Sequence, residues 1–250
     1  MIIFFKKLKN LTISLTFLFL VIFPTSGIIS MDKISKNKKA ILNSLEIKSD
    51  RLIEISDNIW EAAEPALLEF KSSKYLWDYA EENGFKVTKG VADIPTAFTA
   101  EYGSGKPIIG IMGEFDANPG ISQKKQPTKE PLVKGAAGHG CGHNLFGTAS
   151  LGAAIAIKEM IEAGEISGTV RFYGTPAEET IFAKVWMVRA GLFDDLDVCM
   201  DWHPGDEIEA STQSSKALVD FRLKFYGDAA HASGDPWNGN SAVDAMELYT

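Results

Sequence analysis

Cysteine is scarce in this 250-residue sequence: Cys141 and Cys199 are the whole supply, too few for a disulfide framework. Basic charge is short as well. Lysine and arginine number 25 against 33 acidic residues, a formal net charge of −8. With no cationic surplus to neutralise phosphates, a general nucleic-acid binder is excluded. No internal repeat and no long low-complexity tract is present, which excludes a solenoid or a linker-dominated chain. What remains is ordinary for a globular protein: 45% hydrophobic and 23% charged residues, with length for one large domain or two small ones.

The N-terminus differs in kind. "MIIFFKKLKN" carries Lys6, Lys7 and Lys9, and an apolar run from Leu11 to Phe23 leads into the small residues of "PTSG". Basic, apolar and small-residue segments in that order form a signal-peptide pattern, and the run is short for a spanning helix. Residues 1–30 are therefore expected to export or anchor the protein, with cleavage near Gly27 or Ser30 although no clear A-x-A precedes either. If Met31 of "MDKISKNKK" is the true start, the protein is cytoplasmic.

Beyond it, Lys36 to Asn83 reads as helix, with Leu52, Ile55, Ile59, Ala62 and Ala66 at spacings of three and four. A second helix through Tyr75, Leu76 and Tyr79 stops at Asn83-Gly84. "FKVTKGV" and "TAFTAEYG" alternate as strands do, whereas "KPIIGIMGEFD" is a continuous apolar run of the kind buried on both faces. Then come the helix "LFGTASLGAAIAIKEMIEAG", the strand "GTVRFYGTP", the helix "FAKVWMVRAGLF" and the strand "DVCMDWHP". Alternating strands and helices imply an α/β domain with a mixed or mostly parallel sheet and helices on both faces, here over 31–214. Asp116, the Glu178-Glu179 pair and His203 all fall just past strand ends, where open sheets bind ligands. From Ser215 the pattern changes. "KALVDFRLKFYG" alternates strictly and suits an antiparallel strand with one wet face, and a helix capped by Asn240 or Ser241 follows. An α+β domain is expected to begin at 215 and to be cut short at 250, because one strand and part of a helix bury no core.

"GHGCGHN", residues 138–144, holds two of the four histidines and one of the two cysteines. In an extended segment His139, Cys141 and His143 would share a face. A lone histidine is more often packed or solvated than a ligand, but this clustering favours a site. Cys141 as a nucleophile with His143 as its base is one reading; a structural zinc is another, though it would want more cysteines. Neither uses the acids of "PAEET". In extended backbone Glu178 and Glu179 diverge, so one can ligate a metal while the other serves as general base. Thiolate, imidazole and carboxylate together suit zinc, manganese or a similar ion, and two such ions would activate a water and polarise a carbonyl. The residues alone read as a metallohydrolase.

"GHGCGHNLFGTASLGAA", "GTVRFYGTPAEE", "AGLFDDLD" and "DWHPG" closely resemble the metal-dependent aminoacylase and carboxypeptidase-like amidohydrolases. "RLIEISDNIWEAAEPALLEFKSS" and "GIMGEFDANPG" add a likeness to the p-aminobenzoyl-glutamate hydrolase branch, in its B-type form. The resemblance implies a catalytic α/β domain with two divalent ions, manganese or zinc, interrupted by a lid that also dimerises. It implies Cys141, His143, Glu179 and His203 as metal ligands, Glu178 as general base, Asp116 as a supporting acid and His231 as a lid residue that binds substrate; His139 is a neighbour. The implied substrate is a small N-acyl or aminobenzoyl amino acid, and the implied assembly a homodimer or hetero-oligomer through the lid. Two departures stand out: Asn118 where the branch usually has leucine, and no glycines in "TIFAKVWM" after the glutamate pair. The family's last metal-binding histidine would lie beyond residue 250, so a catalytically inactive remnant or partner subunit is the alternative expectation.

Overall fold

The computed structural model describes residues 34–208, 210, 217–219 and 221–249. The expected signal peptide or anchor at 1–30 lies outside the described residues, among which no helix is long and apolar enough to cross a membrane. The chain divides after Gly205 into two compact units.

The first unit runs through helices α1 (Lys36–Ala62) and α2 (Phe70–Glu82) into strands β1 (Lys86–Lys89), β2 (Phe98–Ser104) and β3 (Ile108–Glu114). Helix α3 (His143–Glu162), strand β4 (Gly168–Thr175), the helical turn α4 (Glu178–Ile181), helix α5 (Ala183–Arg189) and strand β5 (Val198–Met200) follow. The sheet order is β1-β2-β4-β3-β5. Pairing is antiparallel between β1 and β2 and between β2 and β4, and parallel among β4, β3 and β5. The α/β class and the mixed sheet are as expected. Because Glu114 is in register with Thr175, the carboxyl ends of β3 and β4 finish level with each other.

Period-two alternation sends Ile111 and Phe172 to one face and Met112 and Tyr173 to the other. On the first face they pack with Ile55 and Ile59 of α1, Leu76 of α2 and Leu151 and Ile155 of α3. On the second, Tyr173 and Met112 meet Ala183 and Met187 around α5. Each such side chain fully buried contributes about 1.5–3 kcal/mol. That contribution fixes which way every strand end points.

Both helices read over 36–83 form, but the first ends before Ala66. Pro65 lacks the N–H a continuing helix needs; α1 ends at Ala62 and α2 begins at Phe70. Between them Ala63 and Leu67 adopt left-handed φ of 41° and 62°, so Ala66 leaves the stripe predicted for it. Glu64 caps α2 from a distance: its carboxylate accepts the N–H groups of Lys71 at 3.0 Å and Ser72 at 2.8 Å, placing negative charge at the positive end of the helix.

In the second unit, helix α6 (Ala242–Tyr249) forms as predicted. Ser241 caps it, accepting the Asp244 N–H at 3.0 Å. The predicted strand over "KALVDFRLKFYG" does not form: residues 217–219 and 221–227 carry no strand, and Lys216 and Asp220 lie outside the described residues. Alternation gives a segment two faces, but a ladder needs a neighbour, and none pairs with this stretch among the described residues.

Candidate metal centre

Two acids leave the end of β3 on the same side because they are two residues apart. Glu114 is 5% exposed and Asp116 1%. Opposite them stands the start of α3. Gly142, at φ 83°, turns the chain so that His143 becomes the first helical residue. Four residues on, a Cβ at Gly147 would lie 2.6 Å from the Glu114 carbonyl oxygen, so glycine there is what lets α3 rest on the end of β3. His143, fully buried, lies between the acids, with Nδ1 3.0 Å from Asp116 Oδ1 and Nε2 2.8 Å from Glu114 Oε2. The Nε2 approach is close but off the line of a hydrogen bond, and that nitrogen has no partner.

The second group comes from three chain segments. Cys141 Sγ lies 3.2 Å from His203 Nε2. His203 follows β5 and keeps its Nδ1 2.9 Å from the Pro204 carbonyl. Asn118, the departure at the end of the "GEFDAN" stretch, has a use: its Oδ1 accepts the N–H groups of Gly140 at 3.2 Å and Cys141 at 3.1 Å. At the end of β4, Ala177 (φ 57°) bends the chain into α4. Glu178 and Glu179 therefore stand on a helical turn and not on extended backbone. The step of about 100° per helical residue still separates them. Glu179 donates its N–H to Asp116 Oδ2 at 3.0 Å and brings Oε1 to 3.8 Å from His143 Nε2. Glu178 gathers with Glu114 and His143, and Cys141 gathers with His143 and His203, each trio holding its ligand atoms within 4.8 Å of one another.

His139 does not join them. The shared face predicted for His139, Cys141 and His143 is lost because the chain turns at Gly142 and enters a helix. His139 instead sets Nε2 3.1 Å from the Ile59 carbonyl and stacks on Trp60, and burial drives its pKa down to about 4. His231 belongs to the second unit. Its Nδ1 accepts the N–H groups of Ser233 at 3.2 Å and Gly234 at 2.8 Å, an exposed and locally ordered turn.

Three participants went unread in the sequence. Glu114 closes an apolar strand two residues before Asp116, a signal that was there to find. Lys184 of α5 bonds Glu114 through Nζ. Glu69, fully buried, accepts the Ala177 N–H at 2.9 Å, and no local pattern points to it.

The charges are unbalanced in a telling way. Burial alone would lower the pKa of His143, but Asp116 and Glu114 outweigh it and hold it raised. Burial would raise Glu114, yet His143 and Lys184 keep it lowered. Cys141 is pushed up to about 11, first by burial and then by Glu179, Glu178 and Glu114. Burial, then Glu114, also raises Glu178. Four carboxylates thus crowd two imidazoles, one thiol and one lysine. The buried orphan atoms His143 Nε2 and Glu179 Oε1 face each other 3.8 Å apart. A divalent cation would supply what they lack: it would neutralise the carboxylates, give the orphans a partner and reverse the pressure on the thiol. The donor set, soft sulfur with imidazole and carboxylate, fits a transition ion.

Known proteins carry the same arrangement of sequence. Residues 110–244 match peptidase family M20/M25/M40. The B-type polypeptide of p-aminobenzoyl-glutamate hydrolase from Escherichia coli (strain K12) is 44% identical over 213 residues, 83% of this chain and 44% of that protein. The Xaa-Arg dipeptidase of Mus musculus is 30% identical over 226 residues, 85% of this chain and 48% of that protein. The chain thus spans under half the length of these curated relatives. Among solved structures, a dinuclear metal-binding peptidase of the M20 family from Bacillus subtilis superposes with a TM-score of 0.54 at 26% identity, covering 62% of this chain and 42% of that one. With more than half its residues inside the matched region, the chain belongs to peptidase family M20/M25/M40.

Proposed function

We propose that this chain carries the metal- and proton-handling part of an amidohydrolase that cleaves an N-acyl or p-aminobenzoyl amino acid, such as p-aminobenzoyl-glutamate. The observation that supports it most is the gathering about His143 of Cys141 with His203 and of Glu178 with Glu114, with Glu179 Oε1 3.8 Å from His143 Nε2. It leaves Cys141, His143, Glu179 and His203 as candidate ligands beside Glu178. Those four residues would hold two divalent ions, manganese or zinc. When bound, such ions supply an acidified water and an electrophile for a carbonyl oxygen. Glu178 receives the proton on its carboxylate, and burial, by raising its proton affinity, suits it to keep that proton until the leaving amine takes it. Asp116 orients two partners at once, His143 through Oδ1 and the Glu179 N–H through Oδ2. With Nδ1 committed to Asp116, His143 presents Nε2 as its donor atom.

His231 would bind substrate from the lid, and the likeness to one polypeptide of a hydrolase whose name marks it as a subunit supports assembly into a homodimer or hetero-oligomer. Export or membrane anchoring through residues 1–30 completes the proposal.

The test pairs metal uptake with turnover. Manganese or zinc is titrated into the metal-stripped protein, and release of p-aminobenzoate from p-aminobenzoyl-glutamate is followed. Uptake that Cys141→Ser weakens, with hydrolysis that Glu178→Gln removes, is the expected result. A protein that takes up neither ion is not this enzyme.

A further inference from the structure

The loop between α1 and α2, residues 63–69, touches both turns that carry the acids of the metal centre. The Glu64 carbonyl accepts the N–H of Ala117, next to Asp116, at 2.9 Å. Glu69 accepts the N–H of Ala177, next to Glu178, through Oε1 at 2.9 Å. Its other oxygen, Oε2, accepts the Thr96 hydroxyl at 3.1 Å. The carboxyl group is fully buried, and no lysine, arginine or histidine pairs with it among the described residues. Burying such a group is costly without compensation, so its two hydrogen bonds must do more than fill space.

Ala177 shows what they do. It is fully buried and holds φ 57° and ψ 35°, a left-handed conformation that an alanine adopts only under constraint. Its N–H belongs neither to the β4 ladder, which ends at Thr175, nor to the four-residue turn α4 that follows. Without an acceptor this buried N–H would be orphaned, and the bend would relax toward the ordinary alanine regions. That relaxation would swing Glu178 and Glu179 away from His143 and Glu114.

We propose that Glu69 is a positioning residue that fixes the left-handed bend at Ala177 and thereby holds Glu178 and Glu179 in the metal centre. The proposal rests on the amidohydrolase reading above. The feature that matters is the acceptor oxygen, not the charge.

Manganese, then zinc, is titrated calorimetrically into the metal-stripped chain and its variants, each first shown to melt cooperatively. Glu69→Gln retains one oxygen to accept from Ala177 and an amide to donate to Thr96, so it should bind within about threefold of the parent, a margin of roughly 0.6 kcal/mol. Glu69→Leu removes the acceptor at similar volume and should bind at least tenfold more weakly. Adding Ala177→Gly, which makes the left-handed bend easy without an acceptor, should restore most of that loss, a compensation that a general loss of packing would not show. If Glu69→Leu does not fold, Glu69→Asp, one methylene too short to hold both partners, is read in the same way. Parental affinity in folded Glu69→Leu, or equal damage from Glu69→Gln, overturns the proposal alone. A parent chain that binds neither ion overturns the hydrolase reading and this proposal with it.

Discussion

The inner and outer halves of the metal centre use similar donors in opposite surroundings. Inside, Glu114, Asp116 and His143 are at most 5% exposed, and the imidazole is held at Nδ1 by Asp116 while Nε2 faces Glu114 unpartnered. Outside, His203 is exposed and follows β5, whose three residues are all exposed; Cys141 and Glu178 are only partly covered. The inner half is therefore part of the core, and damage there should cost fold as well as function. The outer half is attached to the core, and damage there should cost function alone.

The largest expected effect lies in the outer half. Glu178→Gln should lower kcat by roughly 10²–10⁴-fold, because it removes the proton acceptor, while metal content by elemental analysis stays at the parental value. A normal kcat would remove Glu178 from its role. Next comes His143→Ala. It strips the inner carboxylates of their buried partner and should cost about 3–5 kcal/mol of stability in denaturant melts, together with metal binding. A variant that loses metal but melts normally would erase the distinction between the halves.

Glu69, bonded to the Ala177 N–H next to Glu178, gives a pH-dependent effect. Burial first, with Asp116 adding to it, raises its pKa from 4.5 to about 7. The native state then holds the proton more tightly than the unfolded chain. Its stabilisation is complete below about pH 4.5 and is lost as the pH climbs through 7. Glu69→Gln, which cannot ionise, should be the more stable protein at pH 8 by up to about 3 kcal/mol and should match the parent near pH 4.5. Parallel stability curves for the two proteins would contradict this. The smallest effect is expected from Cys141→Ser, which exchanges a thiolate ligand for a poorly ionised hydroxyl. Metal affinity should fall roughly tenfold, about 1.4 kcal/mol, with the melting temperature of the metal-free protein unchanged. A nucleophilic cysteine would instead lose turnover and keep its metal.

Where the sequence was legible, one physical rule acted on neighbouring residues. Apolar alternation and runs gave β1 to β4, and Ser241 read as a cap because capping is local. Strand ends pointed to Asp116, Glu178, Glu179 and His203, since a parallel sheet delivers its loops to one edge. Where it failed, either a missing neighbour or a local backbone break overrode the side-chain pattern. The strand predicted from 216 found no neighbour among the described residues. Pro65 and the left-handed residues Ala63 and Leu67 broke a helix that periodicity alone would continue. The face shared by His139, Cys141 and His143 vanished at one glycine dihedral.

By itself, the sequence determined the α/β class, the order of most elements and most of the candidate donors, because side-chain periodicity and turn chemistry are written within a few residues. Only the tertiary structure decided which donors meet. Glu114 faces His143 because Gly147 admits α3 to the end of β3, and Asn118 reaches across to the loop of Cys141. Glu69 closes on Ala177, 108 residues away. Those choices depend on how α1, α2 and α3 pack across one face of the sheet, and that packing is a property of the whole core and not of any segment.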